Sequence, residues 1–302
     1  MTGSHIFPGA TAVTKSIRGD YFFAKDGAIS FIDKKGSEKC LTTINQRLLD
    51  LISIENILLG VGDHGTFVRS HDYGQTWKTS TLPTLSSIWS LSADRNGTVV
   101  THGNHVIFIS YDFGETWRTI RPFHSLNDQK PSIRSLLLDG KTIYAGTKIH
   151  SHSGGLWKID LERLETIRIK KETRMIASIL KYDNYLVTAT GTCSGSKGSI
   201  DFCQTEGSYG KNYLWETCET EKQERCYLHL CENNGYIFAS SSQDADGIGK
   251  VYRIYLEEKM LVTCARVHGH GWRISNLQSD FFVAGLYGSL LSNSEQNQLI
   301  LQ

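Results

Sequence analysis

Proline is scarce, at 4 in 302 residues, and long apolar runs are missing altogether. No stretch approaches the roughly 18 apolar residues that mark a helical membrane span. The N-terminal "MTGSHIFPGATAVTKSIRGDYFF" has no basic segment followed by an apolar one, so no secretory signal is visible, and a cytoplasmic protein with no membrane insertion is expected. Charge of either sign is not in excess: 32 basic against 31 acidic residues leave +1, which offers no general pull toward nucleic acid or anionic membrane. The seven cysteines (Cys40, Cys193, Cys203, Cys218, Cys226, Cys231 and Cys264) contain no C-x-x-C pair, which argues against a zinc ribbon or a thioredoxin-type redox motif. An odd number without an export signal fits reduced, buried thiols, with a disulfide inside the Cys193–Cys231 group as the alternative for an exported chain. No serine nucleophile elbow, P-loop or dinucleotide fingerprint occurs.

What the chain does contain is repetition. "SHDYGQTW" at residues 70–77 returns as "SYDFGETW" at 110–117. Around each copy lie four short runs rich in β-branched and aromatic residues, separated by Asp, Asn and Gly. Weaker copies precede and follow them, giving seven units of roughly 35 to 50 residues, each with four strand-like runs and no helical period. The expectation is an all-β, seven-bladed β-propeller with four-stranded antiparallel blades, one domain spanning 1–302. The blades fall at approximately 10–44, 45–82, 86–123, 132–169, 175–222, 226–267 and 271–302.

Ser-x-Asp-x-Gly-x-Thr-Trp resembles the Asp-box, or bacterial neuraminidase repeat, of sialidases, some glucanases, sortilin-like receptors and photosystem II assembly factors. The full pattern occurs in two consecutive blades. The fourth keeps only Thr166 and the seventh only Ser292. The residues of the two boxes (Ser70, Asp72, Gly74, Thr76, Trp77, Ser110, Asp112, Gly114, Thr116 and Trp117) each have a structural use. Asp accepts backbone N–H groups in a tight turn, Gly supplies positive φ, and Trp wedges against neighbouring structure. Likeness to sialidases implies an arginine triad, an early Arg-Ile-Pro type motif and a Tyr/Glu pair. "IFPG" at residues 6–9 is not that motif, and sialidases have six blades. Likeness to the seven-bladed assembly factors implies a binding role.

In an up-and-down blade the boxes share a face with the turns between the first and second strands. Ligands are expected on the opposite face, where loops ring the channel mouth. The starts of the innermost strands place Arg47, Trp89, Arg134, Tyr227, Trp272 and Arg273 there. Arg47, Trp89, Arg134 and Arg273 align as equivalent, with Ala177 taking this place in the fifth blade. Guanidinium groups bind carboxylate or phosphate, and indoles stack on sugars or cations. The expected partner is therefore a small anionic or carbohydrate-like ligand or a protein segment, held by a binding or assembly module. Truncating Arg134 or Arg273 is expected to leave the fold intact.

The alternative is an enzyme, a glycoside hydrolase, lyase or other, with or without metal assistance, working at the same mouth. Its candidate catalytic groups are Asp63, Asp244, Asp246, His105 and His150, with Asp26 as a further rim carboxylate. The stretch 191–212 would serve as a lid. No cofactor is required by any motif. A divalent metal is the candidate, with His64, His105, His150, His152, His268 and His270 as potential ligands.

Overall fold

The computed structural model describes residues 5–7, 9–33, 36–192, 197–205, 213–219, 224–277, 280–285 and 289–292. Its strands form seven four-stranded antiparallel sheets. Six sheets are drawn from consecutive strands, within 12–43, 48–81, 91–120, 133–171, 175–218 and 227–268. They are called blades one to six. The remaining sheet corrects the reading of seven contiguous four-strand units. Only three of its strands come from the C-terminal unit: Gly271–Leu277, Asp280–Gly285 and Ser289–Ser292. The fourth, outermost strand is His5–Phe7 from the other end of the chain, with His5 opposite Leu291 and Phe7 opposite Ser289. The sequence unit 271–302 is therefore not a complete blade. The physical gain is closure: both chain ends are tied into one sheet, and the edge of Ser289–Ser292 is paired.

Among the described residues, seven apolar clusters hold the ring together, one at each junction between neighbouring sheets. Leu59, Val61 and Phe67 of blade two meet Ile88, Leu91 and Phe108 of blade three. Tyr144, Leu156 and Ile169 of blade four meet Ile176 and Leu186 of blade five. The composite sheet is closed on blade one by Phe282 and Ala284 against Ala10, Val13, Tyr21 and Phe23. Because every sheet is covered on both faces, second strands such as Ile57–Gly62 and Tyr185–Gly191 are buried almost end to end.

The innermost strands share a defect that proves decisive. Five of them carry a β-bulge near their start, between Leu48 and Asp50, Ile133 and Ser135, Ile176 and Ser178, Tyr227 and His229, and Gly271 and Arg273. The extra residues are Leu49, Arg134, Ala177, Leu228 and Trp272. A bulge inserts one residue and re-aims those beside it. The residue after each bulge faces the axis, where Asp50, Ser135, Ser178, His229 and Arg273 line a polar void of about 130 Å³.

These axial side chains bridge successive blades. Asp50 accepts the Leu91 N–H at 2.9 Å, and Ser90 accepts the Leu136 N–H at 2.9 Å. Ser135 donates to the Ile176 carbonyl at 2.8 Å. Ser178 accepts the Leu230 N–H at 3.1 Å, and His229 Nδ1 accepts the Ile274 N–H at 3.1 Å. Among the described residues no helix is long and apolar enough to cross a membrane.

The two boxes have matching internal bonds. Ser70 Oγ donates to Asp72 Oδ1 at 2.8 Å and accepts the Gly74 N–H at 2.8 Å. Asp72 accepts the Thr76 N–H at 2.8 Å and the Thr76 hydroxyl at 2.6 Å. The Ser110–Asp112–Gly114–Thr116 set repeats these bonds at 2.7, 2.7, 2.9 and 2.6 Å. The bonds from Thr76 lead in holding the Asp72 carboxyl at about 2; burial opposes the bonds from Ser110 and Thr116 at Asp112, which still lies at about 2. Trp77 packs on a cluster containing Ala12, Ala24 and Ile29 of blade one, and Trp117 meets Phe67 of blade two edge-on at 5.0 Å. Each box thus fastens its blade to the preceding one.

Candidate functional site at the channel mouth

A cavity of about 490 Å³ opens on the face away from the boxes, across blades three to six and the composite sheet. The bulges build its floor and one wall. Ala177, Leu228, Met175, Cys226 and Trp272 form an apolar cluster there. Trp89 and Arg134 complete it, the guanidinium carbon lying 4.4 Å from the centre of the Trp89 ring. Trp89 and Trp272 face each other at 5.9 Å, and His270 sits 5.0 Å from Trp272. Ends of second strands supply Lys148, Gly191 and Ser242, and Arg225 lies between blades five and six.

The electrostatics are unbalanced. Arg134 is 4% exposed, and its Nη1 has no hydrogen-bond partner. Burial, then the charge of Arg273, pushes it down to about 9, so it remains a cation at neutral pH. Lys148 is pushed down by burial and then by Arg134. Among the described lining residues the one carboxylate is Asp244. It is committed to its own turn, accepting the Ile248 and Asp246 N–H groups at 3.1 and 3.0 Å, with Lys250 at 3.6 Å. The Ile248 bond leads in holding its carboxyl below the usual range.

The sequence candidates separate sharply. Trp89, Arg134, Trp272, Asp244 and His270 line the cavity. Arg47 does not; it is half-exposed and paired with Asp63 at 3.0 Å, while Ser87 donates to Asp63 at 2.6 Å. Tyr227 is fully buried in the junction of blades five and six, edge-on to Tyr252 at 5.7 Å. Arg273 points to the axis, where its Nε donates to Asp50 at 3.0 Å and its Nη2 to the Trp89 carbonyl. The equivalence of Arg47, Trp89, Arg134 and Arg273 is therefore corrected. The bulges make Leu49, Arg134, Ala177, Leu228 and Trp272 equivalent: Arg134 and Ala177 stand where the alignment by sequence put them, while Leu49, Leu228 and Trp272 lie one or two residues from Arg47, Tyr227 and Arg273.

The histidines do not converge. His64 is exposed with φ 55°, His105 faces the Pro131 carbonyl at 3.0 Å, and His150 accepts the Ser153 N–H at 3.0 Å. His152 and His268 are exposed, and Asp246 is exposed in the Asp244 turn. Among the described residues no three His, Cys, Asp or Glu side chains form a potential metal-ligand group. Asp26 pairs loosely with Lys25 at 4.0 Å. Cys193 and, of the lid stretch 191–212, residues 193–196 and 206–212 lie outside the described residues. Ile200–Gln204 is a largely buried strand of blade five paired with Tyr185–Gly191, so the expectation of one continuous lid loop is corrected. Cys40, Cys203, Cys218, Cys231 and Cys264 are free thiols. Burial pushes Cys203, Cys218 and Cys264 up to about 12, which leaves them inert.

Sequence reasoning missed Lys148, Met175, Arg225, Cys226 and Leu228. Leu228 is brought there by its bulge, which shows itself only in strand register.

No protein-family model matches the chain. Among solved structures it is similar in fold to YCF48 from Cyanidioschyzon merolae, with TM-score 0.70 and 14% identity over 98% of this chain and 100% of that one. YCF48 bound to D1 peptide superposes with TM-score 0.68 and 15% identity over 96% of each chain. U3-55K gives TM-score 0.70 and 10% identity over 95% and 98%. At these identities the likeness concerns the β-propeller fold alone. In sequence, the "Uncharacterized protein YkuO" of Bacillus subtilis (strain 168) is 36% identical over 284 residues, 92% of this chain and 94% of that protein. With that identity over nearly the whole of both chains, the protein belongs to the YkuO family.

Proposed function

We propose that this protein is a binding module, a rigid propeller whose mouth cavity takes a short segment of a partner protein. The observation that carries the reading is the cavity itself. An apolar floor of Met175, Leu228 and two indoles lies beneath a buried guanidinium that has no acid of its own. Such a surface holds an extended chain by side-chain burial and one charged contact. YCF48, which shares the fold at low identity, has been observed with a D1 peptide, and this supports the segment reading over a sugar. The aliphatic floor also favours peptide side chains over carbohydrate hydroxyls. Catalysis of glycoside cleavage needs two carboxylates about 5 to 10 Å apart, whereas the described lining offers Asp244 alone. We also read the two boxes as Asp-box repeats, on the strength of their matching hydrogen bonds and their fastening role.

The test is panning of a random peptide library on the immobilised protein. A recurring short motif is expected, and its binding should drop at least tenfold in Met175→Glu, which puts a carboxylate into the apolar floor of the cavity. Absence of any motif, or undiminished binding by Met175→Glu, would overturn the reading.

A further inference from the structure

We infer that the anchor received at this mouth is a carboxylate carried next to an aliphatic or aromatic group, with Arg134 taking the carboxylate and Trp89, Trp272, Met175 and Leu228 taking the apolar part. The inference rests on the binding reading above and names its chemistry.

Other cations shielded from water have carboxylate partners. Arg69 is paired with Glu115, Arg273 with Asp50, and Lys170 with Asp201 at 2.5 Å and Glu172 at 3.6 Å. Lys250 is paired with Glu224 at 2.8 Å. Arg134 departs from this pattern: among the described residues no carboxylate forms an ion pair with it, although only 4% of it is exposed, and the Asp50 charge that acts on it is already paired with Arg273. Burying a cation without its counter-ion is costly, and the fold does so at the wall of the mouth cavity. The counter-ion is therefore to be supplied from outside.

Stacking selects the geometry. The Trp89 ring covers one face of the guanidinium at 4.4 Å, which leaves the in-plane N–H groups as donors. In-plane donors match a planar carboxylate bidentately. Lys148 and Arg225, at the cavity edge, add attraction for the same sign. Two sources present this chemistry: the terminal carboxylate of a chain ending in an apolar residue, or an Asp or Glu side chain beside one.

Three probes separate these cases by calorimetric titration: N-acetyl-phenylalanine, N-acetyl-phenylalaninamide and N-acetyl-aspartyl-phenylalaninamide. The acid is expected to bind wild-type protein at least tenfold more tightly than the amide. The tighter of the two carboxylate probes names the source. In Arg134→Met the preference for carboxylate should vanish while weak apolar binding persists, and Lys148→Met should reduce the preference several-fold. The inference is overturned if acid and amide bind wild type equally, if no probe binds, or if the preference survives Arg134→Met. The acid–amide comparison uses wild-type protein, so it stands even if a variant fails to fold. Loss of panned peptides in Met175→Glu together with equal acid and amide affinities would remove the carboxylate anchor and keep the binding reading. Peptide binding indifferent to Met175→Glu would remove the reading itself.

Discussion

His102 is a neutral histidine built into the wall beneath the site. It is 1% exposed, its Nε2 accepts the Trp89 N–H at 3.2 Å, and its Nδ1 lies 2.7 Å from the Gly103 carbonyl. An acceptor at Nε2 requires the proton on Nδ1. Burial, against the Gly103 bond and with the help of Arg134 and Lys148, pushes its pKa down to about 3. The unfolded chain, near 6.5, takes up this proton first as pH falls. Stability from this residue is therefore lost below about pH 6.5, at roughly 1.4 kcal/mol per pH unit, until the folded value is reached. The box aspartates act in a lower window, between their unfolded 3.8 and about 2. Urea denaturation at pH 7, 6 and 5 should show His102→Gln losing stability less steeply than wild type, by about one proton. Equal slopes would mean that His102 is already charged in the folded protein.

The box is the element whose role is most fully accounted for by geometry. Ser70 is 2% exposed and serves both Asp72 and the Gly74 N–H, so Ser70→Ala should cost about 1 to 2 kcal/mol. Gly114 has φ 83°, and a Cβ there would come 2.3 Å from Phe67 of the preceding blade. Gly114→Ala meets both the wrong backbone region and a packed ring, and should cost about 2 kcal/mol or more. Neither substitution should change peptide binding at the opposite mouth. Thermal melts and binding assays on the same variants check this: unchanged melting with lost binding would move function to the box.

Across the whole molecule, the Arg273–Asp50 pair links the composite sheet to blade two through the axis, and the bond from Arg273 to the Trp89 carbonyl adds blade three. Burial raises the Asp50 pKa, and the Arg273 charge opposes it. The expectation that Arg273 can be truncated without harm to the fold is corrected by this position. Arg273→Ala strands a carboxylate in the interior and should cost about 3 to 5 kcal/mol. Asp50→Asn combined with Arg273→Met should lose clearly less than the sum of the two single changes. Near-wild-type melting of Arg273→Ala would show that the pair does not brace the ring. Arg134, unpaired, has no such bracing role, and its truncation should leave melting largely intact.

The all-β character, the four-strand repeat and the structural nature of the boxes were legible in the residues, because strand alternation, turn chemistry and an eight-residue repeat are local signals. Trp89, Arg134 and Trp272 could be picked out for the same reason: they stand where inner strands begin. The composite sheet was not legible, since pairing of His5–Phe7 with Ser289–Ser292 joins segments that carry no mark of each other in sequence. Nor was the division of Arg134 from Arg273. One extra residue in a strand turns every following side chain to the other face. That shift sends Arg273 to Asp50 on the axis and leaves Arg134 at the mouth, and only the register of the folded sheets decides it.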